Sequence, residues 1–156
     1  MKLTKKDIAS GVGLSYSPEW ISNGHWMVKR ELISNYDQFA TPEIMLTVFK
    51  ISAEDKTDNM IRFANECFSA QKEWIPTGIF VKHHDEDLAE IYLNGNDMTF
   101  FDIVLLKLLG LEGKKLIGDK PYSAFYFDQK IIIMPCRFEI DPIPFSRISK
   151  ILKSKE

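Results

Sequence analysis

The chain reads as an α+β domain of antiparallel β-hairpins with two to three packed helices. Three observations predict it. Paired β-like runs flank short polar turns in the second half of the chain. Apolar residues recur at helical spacing after Asp58 and again after Pro144, and Gly or Pro marks most of the joints. The 156 residues suit one core of ordinary size. Leu, Ile, Val and Phe make up about 30% of them, above the roughly 20% below which chains stay disordered. The reading is therefore a single α+β domain over residues 1–141, followed by a Pro-linked basic helix over 142–156.

The elements follow in order. Thr4 as cap, Asp7 three residues on and Gly11 as a stop predict a short helix over Thr4–Ser10. An irregular stretch runs from Gly11 to about Gly24; its Gly-x-Gly lacks both a third glycine and a P-loop lysine, so it is a turn. His25–Ile33 alternates as a short strand, with Trp26, Val28 and Arg30 on one face. Thr41-Pro42-Glu43 has the hydroxyl, proline and acid of a helix start, giving a helix over about 42–50, although its β-branched residues leave strand open. Lys56–Trp74 is a helix capped by Asp58. Ile61, Ala64, Cys67 and Phe68 face inward and Arg62, Glu66 and Lys72 outward, and Pro76-Thr77-Gly78 ends it.

Ile79–His84 and Leu88–Leu93 form a hairpin about Asp85-Glu86-Asp87. Asn94-Gly95-Asn96-Asp97 then hands over to a helix capped by Asp97 or Thr99, apolar on nearly every side, and stopped by Gly110. Taken over 98–111, it must be covered, either by its own sheet or by a second subunit, which makes it the candidate homo-oligomer interface. A short strand near Leu116 precedes a second hairpin, Tyr122–Phe127 with Lys130–Phe138. Asp128-Gln129 is a poor two-residue turn, so a longer loop is expected, and Pro135 belongs at a strand end, an edge or a bulge. In the last segment Ile148, Ile151 and Leu152 oppose Arg147, Lys150, Lys153 and Lys155, an amphipathic helix with four bases against one acid over 142–156.

The net charge of −2 excludes a strongly basic nucleic-acid coat and a polyacidic mimic. The N-terminal residues are too polar for a signal peptide, and the longest apolar run falls short of the ~20 residues of a membrane span. Cys67 and Cys136 stand far apart without a Cys-x-x-Cys pairing and read as small apolar side chains. A reduced, cytoplasmic protein without a membrane partner or cofactor is expected.

Two clusters invite chemistry. His83, His84, Asp85, Glu86 and Asp87 are metal-ligand types, and His84 with Glu86 or His83 with Asp85 could share a strand face, with His25 joining from elsewhere. A solvated hairpin tip is the simpler reading; a small metal-dependent hydrolase or nuclease is the sharper one. Trp20 and Trp26, with Lys29 and Arg30 nearby, could stack bases or anchor a partner; a lid on the core is the simpler reading. As an exposed patch they would suit an inhibitor of a partner protein. No Gly-x-Ser-x-Gly elbow accompanies the three histidines.

Ile132-Ile133-Met134-Pro135-Cys136-Arg137-Phe138 resembles the closing strand of a bacterial sliding-clamp domain, the repeated unit of DNA polymerase processivity rings. The upstream order is also similar: helix 98–110, a short strand, the aromatic strand 122–127 and the final strand. The resemblance spans about residues 98–138 and implies clamp-like βαβββ units, DNA binding and a part in DNA replication. Such clamps carry three domains per chain, so a ring would require assembly. The expectation that follows is a non-enzymatic binding protein with a protein partner or DNA. Trp20, Trp26, Lys29, Arg30, Arg147, Lys150 and Lys153 are its contact candidates.

Overall fold

The computed structural model describes residues 1–4, 6–7, 14–39, 43, 53–55, 57–82, 87–138 and 143–154. The helix expected over about 42–50 lies outside them except for Glu43, which is helical. In chain order the strands are β1 (Leu14–Tyr16), β2 (Trp20–Ser22), β3 (Trp26–Lys29), β4 (Ala53–Asp55), β5 (Glu73–Lys82), β6 (Leu88–Asn94), β7 (Asp97–Asp102), β8 (Leu116–Ile117), β9 (Phe125–Phe127) and β10 (Ile131–Ile133). The helices are α1 (Thr57–Phe68), α2 (Ile103–Leu108) and α3 (Phe145–Ser154). The fold class is α+β, as the sequence predicts. Two compact units divide the chain: Met1–Ser69 with Asp128–Ile133, and Ala70–Phe127 with Met134–Glu156.

In the first unit β2 and β3 are central, β1 and β10 flank them antiparallel, and β4 pairs with β1 in parallel. The stretch expected to be irregular thus contains two strands. Their turn is closed from both ends: the Ser17 N–H donates to the Trp20 carbonyl at 2.8 Å, and the Trp20 N–H donates to Ser17 Oγ at 2.9 Å. Between β2 and β3, Asn23 Oδ1 accepts from the N–H groups of His25 and Trp26, at 2.9 and 3.2 Å, while its Nδ2 donates to the Asp7 carbonyl. A buried Asn is stable here because local backbone groups satisfy it. The cap expected at Thr4 is present: Asp7 Oδ2 accepts from the Thr4 N–H and hydroxyl, and Thr4 Oγ1 accepts from the Asp7 N–H. The strand expected over His25–Ile33 stops at Lys29, where Arg30–Leu32 turns as a 3-10 helix.

α1 is shorter than the helix expected over Lys56–Trp74. Met60, Ala64 and Cys67 form its buried face, while Ile61 is exposed. The Ser69 hydroxyl takes the Glu66 carbonyl at 2.6 Å, and Trp74 belongs to β5. Tertiary packing overrides helical periodicity there: the Trp74 indole donates to the Gly118 carbonyl and meets Phe125 edge-on at 5.3 Å. Pro76 and Gly78 do not end a helix. They lie inside β5, where its register against β6 shifts between Pro76 and Phe80.

In the second unit the order is β9-β8-β5-β6-β7, all antiparallel. The β5–β6 hairpin forms as expected, although β5 begins at Glu73, six residues before the expected strand. The largest departure follows it. Asn94 pairs with Asp97 across a two-residue Gly95-Asn96 turn, so the chain returns as β7 where a helix was expected. Gly95 takes φ +58°, a conformation that costs glycine little. β7 is buried on both faces, which removes the polar alternation that marks a strand. The helix begins five residues later, with Asp102 Oδ1 accepting from the N–H groups of Val104 and Leu105. It ends as expected at Gly110 (φ +68°), where the Leu111 N–H reaches back to the Leu106 carbonyl. The apolar helix over 98–111 that suggested a homo-oligomer interface is therefore half core strand and half six-residue helix.

Alternation along β6 and β7 sends Ala89, Ile91 and Phe100 to one face, where Ile148 of α3 completes a core with Phe138 and Leu152. Glu90, Tyr92 and Phe101 point the other way. There the Tyr92 ring meets Phe101 at 5.0 Å, and its hydroxyl donates to the Lys114 carbonyl. The strand expected over Lys130–Phe138 is regular only through Ile133. Pro135 falls just past its end, and the Cys136 N–H makes a single bridge to the Phe100 carbonyl. Asp128 and Gln129 both take positive φ in a three-residue connection, the longer loop expected from a poor turn sequence.

Candidate partner-binding surface

α3 is held by one face and open on the other. Pro144 precedes it, and its carbonyl accepts the first helical N–H groups, from Arg147 and Ile148. Ile148 is fully buried, and Ile151 and Leu152 are half-buried beside it. At 100° per residue the apolar trio occupies one side, and Arg147, Lys150 and Lys153 form a stripe on the opposite side, all three exposed. No acid lies between Phe145 and Ser154. None of the three cations makes an ion pair among the described residues. Lys153 in the last turn also complements the negative end of the helix dipole. The exposed stripe is positive, and the helix that carries it contains no acid.

The contact candidates in the first unit are placed differently. Trp20 and Trp26 are each 2% exposed, so they belong to the core, the simpler of the two readings, and form no exposed patch for stacking bases or docking on a partner. Trp20 packs on Phe68 with ring centroids 6.0 Å apart. Lys29 Nζ lies 5.0 Å from the centre of the Trp20 ring and 3.1 Å from the Glu19 carboxylate. The Arg30 guanidinium donates to the Ser17 carbonyl and covers the Tyr36 ring at 3.8 Å. These two cations are engaged at the end of β3, against the segment that leads into β2 and against aromatic rings.

Of the proposed metal cluster, His83, His84, Asp85 and Glu86 lie outside the described residues; Asp87 is exposed, as is His25. Among the described residues no group of three or more His, Cys, Asp or Glu is placed to hold a metal ion. Cys67 is buried, and burial, with Glu66 beside it, pushes its thiol up to about 11. Burial acts likewise on Cys136, and Asp102 and Asp87 add to it, up to about 12. Both thiols stay protonated near neutral pH, which suits the reading of small apolar side chains.

One polar residue was missed from the sequence. Glu90 is 93% buried in β6, and its Oε2 accepts from the Gly78 N–H at 3.2 Å. Burial, and then Glu112, push its carboxyl up, against the opposing pull of that hydrogen bond. The available signal was a lone acid within the apolar run Leu88-Ala89-Glu90-Ile91-Tyr92-Leu93.

Among the described residues no helix is long and apolar enough to cross a membrane. No family model, no curated protein and no solved structure matches this chain.

Proposed function

We propose that this chain is a non-enzymatic binding protein that contacts DNA through α3, as a replication accessory of the kind the sliding-clamp resemblance implies. The stripe of Arg147, Lys150 and Lys153 carries the reading. Three exposed cations at three-residue intervals, on a helix that contains no acid, favour a regularly spaced polyanion over a compact anion. Phosphates are the regularly spaced anions that such a stripe fits, so the proposed contact is with the backbone and is independent of sequence.

A fluorescence-anisotropy titration against single- and double-stranded DNA tests this. Contacts to three phosphates of a duplex should weaken binding roughly 40-fold between 50 and 200 mM salt. Failure to bind either DNA at 50 mM salt would overturn the reading. Light scattering addresses assembly separately: a strict monomer at micromolar concentration removes the self-assembling clamp version and leaves the DNA contact standing.

A further inference from the structure

The shifted register in β5 leaves backbone groups without ladder partners, and side chains replace them. Thr77 Oγ1 donates to the Ile91 carbonyl at 2.7 Å and accepts from the Ile79 N–H at 3.1 Å. The Gly78 N–H goes to the Glu90 carboxylate, and Gly78 itself takes φ +71°. A backbone segment of β5 is thus fastened to β6 by two side chains, one of them an ionisable group with almost no exposed surface.

We propose that Glu90 is a proton-operated latch on this bulge: the protonated carboxyl holds residues 77–79 against β6, and the ionised one favours a state in which they separate and Glu90 reaches water. The groups about the carboxyl set the sign. On its own face Phe80 lies opposite in β5 and Phe101 opposite in β7, both apolar, with Lys82 diagonal near the strand end and exposed. Tyr92 is two residues along β6, its hydroxyl committed to the Lys114 carbonyl, and Glu112 beyond α2 adds a like charge. Only the Gly78 N–H favours the anion in the closed bulge, and it is outweighed. Closing therefore takes up a proton. The closed form gains below the ordinary glutamate value of 4.5 and loses ground as pH rises through the higher value of the closed state.

Amide hydrogen exchange at Gly78 and Ile79, corrected for intrinsic base catalysis and followed from pH 4 to 8, tests the latch. The opening constant in the wild-type protein should rise with pH, by at most tenfold per unit. In Glu90→Gln it should stay flat, because the amide oxygen still accepts from Gly78 without titrating. The Ile91 and Tyr92 amides should keep their protection in both proteins. Identical profiles in the two proteins, or a rise shared by all of β6, would overturn the proposal. Should the variant fold poorly, a carbon-detected NMR titration of Glu90 in the wild type decides alone: a midpoint above 4.5 supports the latch, and one at or below it overturns it.

Discussion

Trp74 and Trp26 both sit in the middle of their sheets with almost no exposed surface, and they differ at one atom. Trp74 Nε1 donates to the Gly118 carbonyl at 2.9 Å, while Trp26 Nε1 is buried without an acceptor among the described residues. The packing around Trp74 is exacting. Phe125 stands edge-on to both Trp74 and Phe101, at 5.3 and 5.0 Å, and lies so close over Gly118 that a Cβ there would press into its ring. Equal burial thus does not mean equal energetics. An indole that satisfies a buried carbonyl is harder to replace than one that leaves its own N–H unpaired, since each unpaired buried group costs about 1–3 kcal/mol.

Three substitutions sharpen the contrast. Trp74→Ala has the largest expected effect, about 3–5 kcal/mol in urea denaturation. Trp26→Ala removes the same ring but strands no acceptor, so it should cost about 1–3 kcal/mol less. Equal losses would break the comparison. Gly118→Ala comes next, at about 1–3 kcal/mol, because the Phe125 ring is held by two aromatic neighbours and cannot swing aside. Full tolerance of that alanine, measured by the same transition, would mean the cluster is looser than its geometry.

The fourth effect has the opposite sign. In the folded chain Glu90 titrates above its ordinary value, so the folded state holds more protons than the unfolded one and stability falls as pH rises through that range. Glu90→Gln should therefore raise the urea midpoint at pH 7, and the gain should shrink as pH approaches 4. A variant destabilised equally at both pH values would contradict this. Smallest of all on stability are changes to the exposed stripe. Arg147→Glu and Lys150→Glu should each change stability by no more than about 0.5 kcal/mol, since neither contributes to packing, and Lys153→Glu by up to about 1 kcal/mol, since it also reverses a charge that complements the helix dipole.

Amphipathic elements were legible in the sequence and doubly buried ones were not. α3 lies where Ile148, Ile151 and Leu152 recur against Arg147, Lys150 and Lys153, because a helix with one wet face writes its period into the chain. The β5–β6 hairpin and the Gly110 stop were legible for similar local reasons. β7 was not. Its two faces are both covered, so Met98–Phe101 is as apolar as a buried helix would be, and the Gly95-Asn96 turn was the decisive local signal. Trp74 was drawn into a helix because Phe125 and Gly118, its real partners, are more than 40 residues away in sequence. On the candidate surface the charges of α3 were readable, and the burial of Trp20 and Trp26 was not, since aromatic residues look alike in a lid and in a core. Glu90 was hidden by the same logic: only the β5 register shift gives a buried carboxyl something to accept.

The proposed DNA contact distinguishes two sets of cations that composition alone treats as equivalent. Lys29 and Arg30 are engaged with Glu19, Ser17 and aromatic rings, whereas the α3 stripe faces outward. The most direct measurement is an anisotropy titration at 50 mM salt of the wild-type protein, the Arg147→Glu/Lys150→Glu/Lys153→Glu variant and a Lys29→Glu control. The account predicts DNA binding by the wild type and the control, and its loss in the triple variant with the urea midpoint nearly unchanged. No binding by the wild type, or undiminished binding by the triple variant, would contradict it.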